Sequence, residues 1–232
     1  MIRRPPRSTL SSSSAASDVY KRQLFRWGHV LAGITWIGLL YYFNFVQTEY
    51  FKEAEDAHRS GAIQKLVPRA LWWFRWGAML TFLSGLVLLY NRHAGLTLDI
   101  TIGALLGTVM FLNVWLIIWP NQKIVIASAQ QVAGGGEALP EAAGAAPKAA
   151  LASRTNTMFS VPMLYFMGSS AHLPTGFLSD STMVGVGIAA VIVLALEGNG
   201  VLGKQGPLTS VGGVIACGFV LTAVLYGALA FL

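Results

Sequence analysis

The sequence contains few charged residues and almost no cysteine. Charged side chains make up only 11% of its 232 residues, whereas hydrophobic residues make up 54%. This composition argues against an ordinary soluble domain and favours a membrane protein, since long uncharged apolar runs are suited to lipid. The single cysteine, Cys217, excludes an internal disulfide or a zinc cluster built on cysteines. The motif C-x-x-C-H is also missing, which excludes covalent attachment of a c-type haem to this chain.

The apolar runs predict an all-α, polytopic transmembrane helical bundle. About 20 apolar residues span the hydrocarbon core of a bilayer as a helix, and about six such helices can be drawn. Their predicted ranges are 25–47, 70–90, 99–119, 157–173, 182–197 and 208–231. Residues 48–69 form a charged, partly helical connector. Residues 128–150 are rich in alanine, glycine and proline, and they are predicted to form a flexible cytoplasmic loop.

The positions of lysine and arginine predict the orientation of the bundle. Only Arg92 lies in the second or fourth connection between helices. The first, third and fifth connections hold Lys52, Arg59, Lys65, Arg69, Lys123, Lys148, Arg154 and Lys204. Because cytoplasmic loops carry an excess of these residues, the three connections are predicted to be cytoplasmic. Both ends of the helical unit are then periplasmic.

Residues 1–23 differ from the rest of the chain. The segment MIRRPPRSTLSSSSAASDVYKRQ holds five basic residues and one acidic residue, so it supplies most of the net charge of +6. The remaining charge is too balanced to indicate a nucleic-acid partner. The segment lacks the apolar core of a secretion signal and any amphipathic period, and it resembles the translation of a sequencing-library adapter. We expect an artefactual, disordered leader before a transmembrane domain at residues 24–232.

The first predicted helix contains a histidine within an apolar run. His29 lies in FRWGHVLAGITWIGLLYYFNFV, where an ionisable side chain costs about 2 kcal/mol or more unless it is paired. It is therefore a candidate functional residue. Gly33 and Trp36 share its helical face, and a glycine there allows another helix or a flat cofactor to approach. The alternative is a histidine that only hydrogen-bonds near the helix end.

Three of the four histidines are predicted to lie at the periplasmic face. His93 follows the second helix and His172 ends the fourth, so both are expected near the outer end of the helix that carries His29. His58 alone is predicted to be cytoplasmic. Imidazole is a common axial ligand of haem iron, which makes the group a candidate cofactor site. Chance clustering is the alternative.

Three other polar residues of the predicted helices have simple structural interpretations. Asn44 and Asn113 are expected to form hydrogen bonds between helices, as amide side chains do in membrane bundles. Glu197 falls at the inner end of the fifth predicted helix, where it is expected to be exposed.

Four stretches of sequence together resemble one protein family. They are RWGHVLAGITWIGLLYYFNFVQ, ALWWFRWGAMLTFLSGLVLLY, NVWLIIWPNQKIVIA and SRTNTMFSVPMLYFMGSSAH, at 26–47, 70–90, 113–127 and 153–172. Their order and spacing resemble the membrane domain of the bacterial membrane-bound urate oxidase (urate hydroxylase) family. In that family a cytochrome c domain follows the membrane domain. The resemblance covers residues 24–232 and implies a multi-pass protein of the bacterial inner membrane that oxidises urate to 5-hydroxyisourate.

The resemblance also implies that electrons leave through haem to a periplasmic cytochrome c. The pattern H-x-x-x-G-I-x-W-I-G is similar to helices of the membrane protoporphyrinogen oxidase family, and this similarity favours His29 as a haem ligand. We expect a non-covalent b-type haem with His29 and His172 as axial ligands and with Gly33, Trp36 and His93 in its site. A c-type haem is expected only in a partner or in the cytochrome c domain that is missing here.

The candidate substrate residues follow from the charge of urate. Urate is an anion at neutral pH, so its site needs cationic or hydrogen-bond-donating groups. Arg154, Asn156 and Thr157 are the candidates, but they are predicted to lie on the cytoplasmic side, opposite His29.

Two other functions are open alternatives. A purine-anion permease would explain polar residues at both faces, but neither an internal repeat nor a pair of interrupted helices is visible. A haem-carrying membrane anchor related to membrane protoporphyrinogen oxidase would bind haem without oxidising a substrate. An absorption spectrum separates the permease from the two haem proteins.

Overall fold

The computed structural model describes residues 9–92, 95–179 and 183–232, with side chains from residue 19 onward. Within these ranges the chain is helical, and apart from an isolated bridge between Thr97 and Phe177 it forms no β-structure. The all-α prediction is confirmed. The α-helices described are α1 (Thr9–Tyr41), α2 (Thr48–Glu53), α3 (Asp56–Lys65), α4 (Val67–Tyr90), α5 (Leu98–Leu112), α6 (Trp119–Ala133), α7 (Ala142–His172), α8 (Val184–Leu202) and α9 (Val211–Phe231).

Two π-helical segments join neighbouring α-helices into longer continuous helices. Tyr42–Gln47 joins α1 to α2, and Asn113–Ile118 joins α5 to α6. In the described ranges, five helical segments are long and apolar enough to cross a membrane: Val19–Glu53, Val67–Tyr90, Leu98–Ala133, Val184–Leu202 and Val211–Phe231. This pattern indicates a membrane protein built as a helical bundle.

The sixth predicted span falls in α7, which lies at the centre of the bundle. It packs against α1, α5, α6, α8 and α9. Its 31 residues extend far beyond the predicted range 157–173 toward the N-terminus. Only its middle, residues 151–163, is buried or half-buried on every side, and this part meets other helices instead of solvent or lipid.

Most of the segment 128–150 is helical and not a loop as predicted. α6 continues to Ala133 and α7 begins at Ala142, so residues 134–141 form the connection. Ala145, Ala149 and Ala152 are buried, and their i, i+4, i+7 spacing is that of one helical face. Because this face consists of alanine among other small residues, it has no visible hydrophobic period in the sequence.

Helix α1 also begins earlier than predicted. Residues 1–8 lie outside the described residues, but α1 starts at Thr9, inside the segment predicted to be a disordered leader. Its side chains from Val19 to Trp27 are exposed. Residues 19–23 of the predicted leader therefore continue the first helix with exposed side chains.

We name the two ends of the bundle by the orientation predicted from charge. The inner end holds α2, α3, α6 and the first half of α7. The outer end holds the connections from α4 to α5 and from α7 to α8. The helix Leu98–Ala133 has 36 residues, or about 54 Å, and is much longer than the hydrocarbon core of about 30 Å. Its inner part is therefore expected to project beyond the membrane.

Glycine permits close crossings of helices in this bundle. A Cβ at Gly77 of α4 would lie 3.1 Å from the backbone nitrogen of Trp36 in α1. A Cβ at Gly218 of α9 would lie 2.7 Å from Cγ2 of Val161 in α7. Small residues let membrane helices approach closely and gain van der Waals contact, which holds them together in lipid.

We expect Gly218→Ala to destabilise the bundle by about 1–3 kcal/mol, because the added methyl group must push α9 away from α7. Gly227→Ala on the same helix is the matched control, since a Cβ there meets no atom within 4 Å. Thermal unfolding of both variants in one detergent measures the difference. Equal unfolding temperatures would contradict a tight contact between α7 and α9.

Candidate functional site

The middle of α7 places polar side chains in the centre of the bundle. All residues from 154 to 160 are buried, and the exposed fractions of Arg154 and Asn156 are 4% and 0%. Because the core of a membrane offers no water to such groups, they need partners on neighbouring helices. The polar residues of α7 accordingly face several different helices.

One of these contacts joins α7 to α5 and α8. Asn113, the first residue of its π-helical segment, donates from Nδ2 to Oδ1 of Asn156 at 2.8 Å and to Oε2 of Glu197 at 3.0 Å. Asn156 donates from Nδ2 to the carbonyl of Met110 at 2.9 Å. The interhelical role predicted for Asn113 is confirmed. Glu197, predicted to be exposed, is instead partly buried by this crossing of helices.

A second contact joins α7 to the first long helix. Asn44 donates from Nδ2 to Oγ of Ser153 at 2.8 Å, which confirms its predicted interhelical role. The hydroxyl oxygen of Tyr41 lies 2.9 Å from that of Ser160. Both π-helical segments therefore contribute a buried asparagine to the centre of the bundle. Such π-helical turns are frequent at functional sites.

Arg154 extends from α7 toward α2. Its Nη2 lies 4.0 Å from Oε1 of Glu49, and the same carboxylate oxygen is only 2.8 Å from Nζ of Lys52. Within the described residues, Nη1 of Arg154 has no hydrogen-bond partner. The buried guanidinium is thus only loosely paired and has a free donor.

The predicted substrate residues share the inner half of the bundle but not one contact. Arg154 faces Glu49 and Asn156 faces Asn113, because side chains two positions apart in an α-helix point about 200° apart. Thr157 donates to the carbonyl of Ser153 at 2.8 Å within α7. Of the three candidates, Arg154 has the buried polar atom that the described residues leave unpaired.

His29 faces α4 in the outer half of the bundle. Its Nδ1 lies 3.0 Å from Oγ of Ser84. On the same face, a Cβ at Gly33 would lie 4.0 Å from Cγ2 of Thr81, and Trp36 is only 2% exposed. The sequence allowed either another helix or a flat cofactor to approach this face. In the structure, helix α4 packs against it.

The other predicted ligands lie nearer the outer surface. His172 is the last residue of α7 and is exposed, and His93 lies outside the described residues. The outer ends of α4 and α7 meet where Arg92 donates to the carbonyl of Ser170 at 2.9 Å. His29 meets α4 about eight residues before Arg92, and is therefore roughly 12 Å deeper along that helix. In the described part of the chain, no group of three or more His, Cys, Asp or Glu residues is placed to hold a metal ion.

The helices α5 to α8, which surround this centre, coincide with a known family. Residues 91–205 match the family model described as "Urate oxidase N-terminal". The chain belongs to a urate oxidase-related family. The match contains Asn113, Arg154, Asn156 and Glu197, whereas His29 precedes it. No curated protein and no solved structure matches the chain.

In this urate oxidase-related protein, Asp99 is a structural residue that sequence reasoning missed. It is 0% exposed and accepts hydrogen bonds from Oγ of Ser169 at 2.6 Å and from N and Oγ1 of Thr175 at 2.8 and 2.7 Å. It thereby ties the start of α5 to the end of α7. The available signal was Thr97 followed by Asp99 before an apolar run, which is typical of a helix start.

We expect Asn156→Ala to lower the free energy of unfolding by about 1–3 kcal/mol, because the Met110 carbonyl and an Asn113 N–H lose their partner inside the bundle. Asn199→Ala is the control, since Asn199 is exposed at the end of α8. Denaturation in mixed micelles compares the two variants. A variant at position 156 as stable as the control would show that the amide network does not hold the helices in place.

Proposed function

We propose that the chain is the membrane domain of an oxidoreductase that oxidises urate to 5-hydroxyisourate and delivers electrons to a periplasmic cytochrome c. The urate oxidase-related family supports the substrate and the class of reaction. The predicted orientation supports a protein of the bacterial inner membrane whose outer end faces the cytochrome.

The observation that carries the substrate site is the loosely paired guanidinium of Arg154. Urate is an anion at neutral pH, and a buried arginine with a free donor binds an anion by a charge-assisted hydrogen bond. Glu49 compensates the guanidinium only at 4.0 Å. An anionic ligand beside Nη1 would supply both the missing hydrogen bond and the missing charge.

The balanced reaction shows which products the enzyme must remove besides 5-hydroxyisourate. Conversion of the urate monoanion to 5-hydroxyisourate adds the oxygen of one water molecule and releases one proton and two electrons. The cytochrome c accepts the electrons one at a time. The role that we assign to this chain is to bind the anion at Arg154 and to hold it away from bulk water.

We further propose a non-covalent b-type haem in the outer half of the bundle. The residue that fits it best is His29, because Ser84 engages Nδ1 and leaves Nε2 to coordinate iron, an arrangement common among histidine ligands. His172, the second axial ligand predicted from the sequence, is exposed at the end of α7, roughly 12 Å nearer the outer surface. That separation is too large for it to bind the same iron as His29, so we propose His29 alone as a ligand from this chain. When bound, haem supplies one-electron transfer.

The proposed substrate and haem residues lie in opposite halves of the bundle. Asn44, which contacts Ser153 next to Arg154, is in the same continuous helix as His29. Fifteen residues of helix separate them, or about 22 Å. Urate would therefore bind from the inner side, while electrons would leave at the outer side.

We expect membranes that contain the chain to reduce added cytochrome c when urate is supplied. Arg154→Gln should lower kcat/KM for urate about 10-fold to 150-fold, since a hydrogen bond to a charged group is lost. Arg69→Gln, at an exposed position on the inner side, is the matched control. Absorbance of reduced cytochrome c measures the rate. Urate uptake into vesicles without urate-dependent reduction would instead support a permease.

We expect His29→Ala to lower the haem content of the purified protein, because an axial ligand is lost. His58→Ala should retain it, since His58 is exposed in α3 at the inner end. Pyridine haemochrome spectra give the haem-to-protein ratio for each. Equal ratios in the wild type and both variants would contradict the role of His29, and absence of haem from the wild type would contradict the cofactor.

A further inference from the structure

In the described ranges, five buried side-chain atoms have no hydrogen-bond partner: Nε1 of Trp36, Nε1 of Trp115, Oγ1 of Thr155, Oε1 of Gln47 and Nη1 of Arg154. The last two lie in the inner half of the bundle and are of opposite kind. Nη1 of Arg154 is a donor and Oε1 of Gln47 an acceptor, and they do not bond to each other. An unpaired polar group costs several kcal/mol in a bilayer core. Each such atom therefore needs a partner from outside the chain, either an ordered water molecule or a ligand.

The contacts of the first long helix with α7 place these two residues in the same region. Asn44 bonds to Ser153, the residue before Arg154, and Glu49 lies beside Arg154 itself. Gln47 stands between Asn44 and Glu49 in the sequence and ends the π-helical segment. It therefore lies in the stretch of helix that is held against the turn of α7 carrying Arg154.

The pairing of a free donor with a free acceptor restricts the chemistry of the missing partner. A carboxylate or a fully ionised phosphate monoester offers acceptors only, so it would satisfy Arg154 and leave Gln47 unpaired. A cyclic ureide anion carries ring N–H groups next to carbonyl oxygens, and it would satisfy both atoms at once. Urate is such an anion.

We propose that Gln47 and Arg154 together form the specificity-determining pair of the substrate site, in which Arg154 binds the anionic carbonyl edge and Gln47 accepts a hydrogen bond from a ring N–H. The identification with urate rests on the proposed function, whereas the preference for a ureide rests on the two unpaired atoms. Gln47 lies outside the residues that the family model matches, so the family match does not assign it.

The test uses two planar anions, barbiturate and N,N′-dimethylbarbiturate, in which the ring nitrogens carry hydrogen and methyl respectively; the Gln47→Met variant separates the loss of the donor from the added bulk. The dissociation constants of both anions are measured with the full chain in lipid nanodiscs. The wild type should bind barbiturate about 5-fold to 150-fold more tightly, since methylation leaves the Gln47 oxygen unpaired. Gln47→Met should bind both anions with similar affinity, and Arg154→Gln should lose both. Gln131→Met, at an exposed position of α6, should behave as the wild type does.

The outcomes separate this inference from the proposed function. Equal binding of the two anions by the wild type would overturn the role of Gln47, and this result does not depend on whether any variant folds. A preference for barbiturate that persists in Gln47→Met would overturn it as well. If the preference is found and depends on Gln47, but urate is never oxidised, the ureide site stands and the proposed function fails.

Discussion

The pairing of polar groups inside a lipid-embedded bundle is the constraint on which this structure depends. The centre of α7 carries a run of polar residues where a membrane helix is usually apolar, and lipid offers these groups no hydrogen bonds. Ser153 is paired by Asn44 and Asn156 by Asn113. Each pair fixes the position of another helix along α7. The polar residues of α7 thus determine where the other helices contact it, whereas apolar side chains form most of the packed surface.

The same logic applies at the outer end, where α7 is held a second time. Asp99 accepts hydrogen bonds from Ser169 and Thr175, and Arg92 donates to Ser170. Between these two anchored regions α7 is approached closely by α9 at a glycine. The central helix is therefore fixed in position at its centre and at its outer end.

Arg154 is the buried cation of this polar run. Asn156 and Thr157 form hydrogen bonds inside the bundle, whereas Nη1 of Arg154 and Oγ1 of Thr155 have no partner among the described residues. A protein that needed only stability would lower its energy by replacing such a group with an apolar one. We propose that an anionic ligand compensates this buried cation, and the free oxygen of Gln47 restricts the proposed ligand to an anion that also donates a hydrogen bond.

The sequence by itself determined the helical class, the apolar segments, the end of α4 at Tyr90, the pairing roles of Asn44 and Asn113, and the family. These follow from composition, local pattern and motifs that are readable along the chain. Only the tertiary structure decided that α6 and α7 extend into the alanine-rich segment from either side. A helical face made of alanine shows no contrast in hydrophobicity with the small residues around it. The tertiary structure also decided that Arg154 and Asn156 face different helices and that Glu197 is partly buried. The direction in which each side chain of α7 points, and the place where α5 crosses α8, depend on how the helices pack. No local sequence pattern encodes either of them.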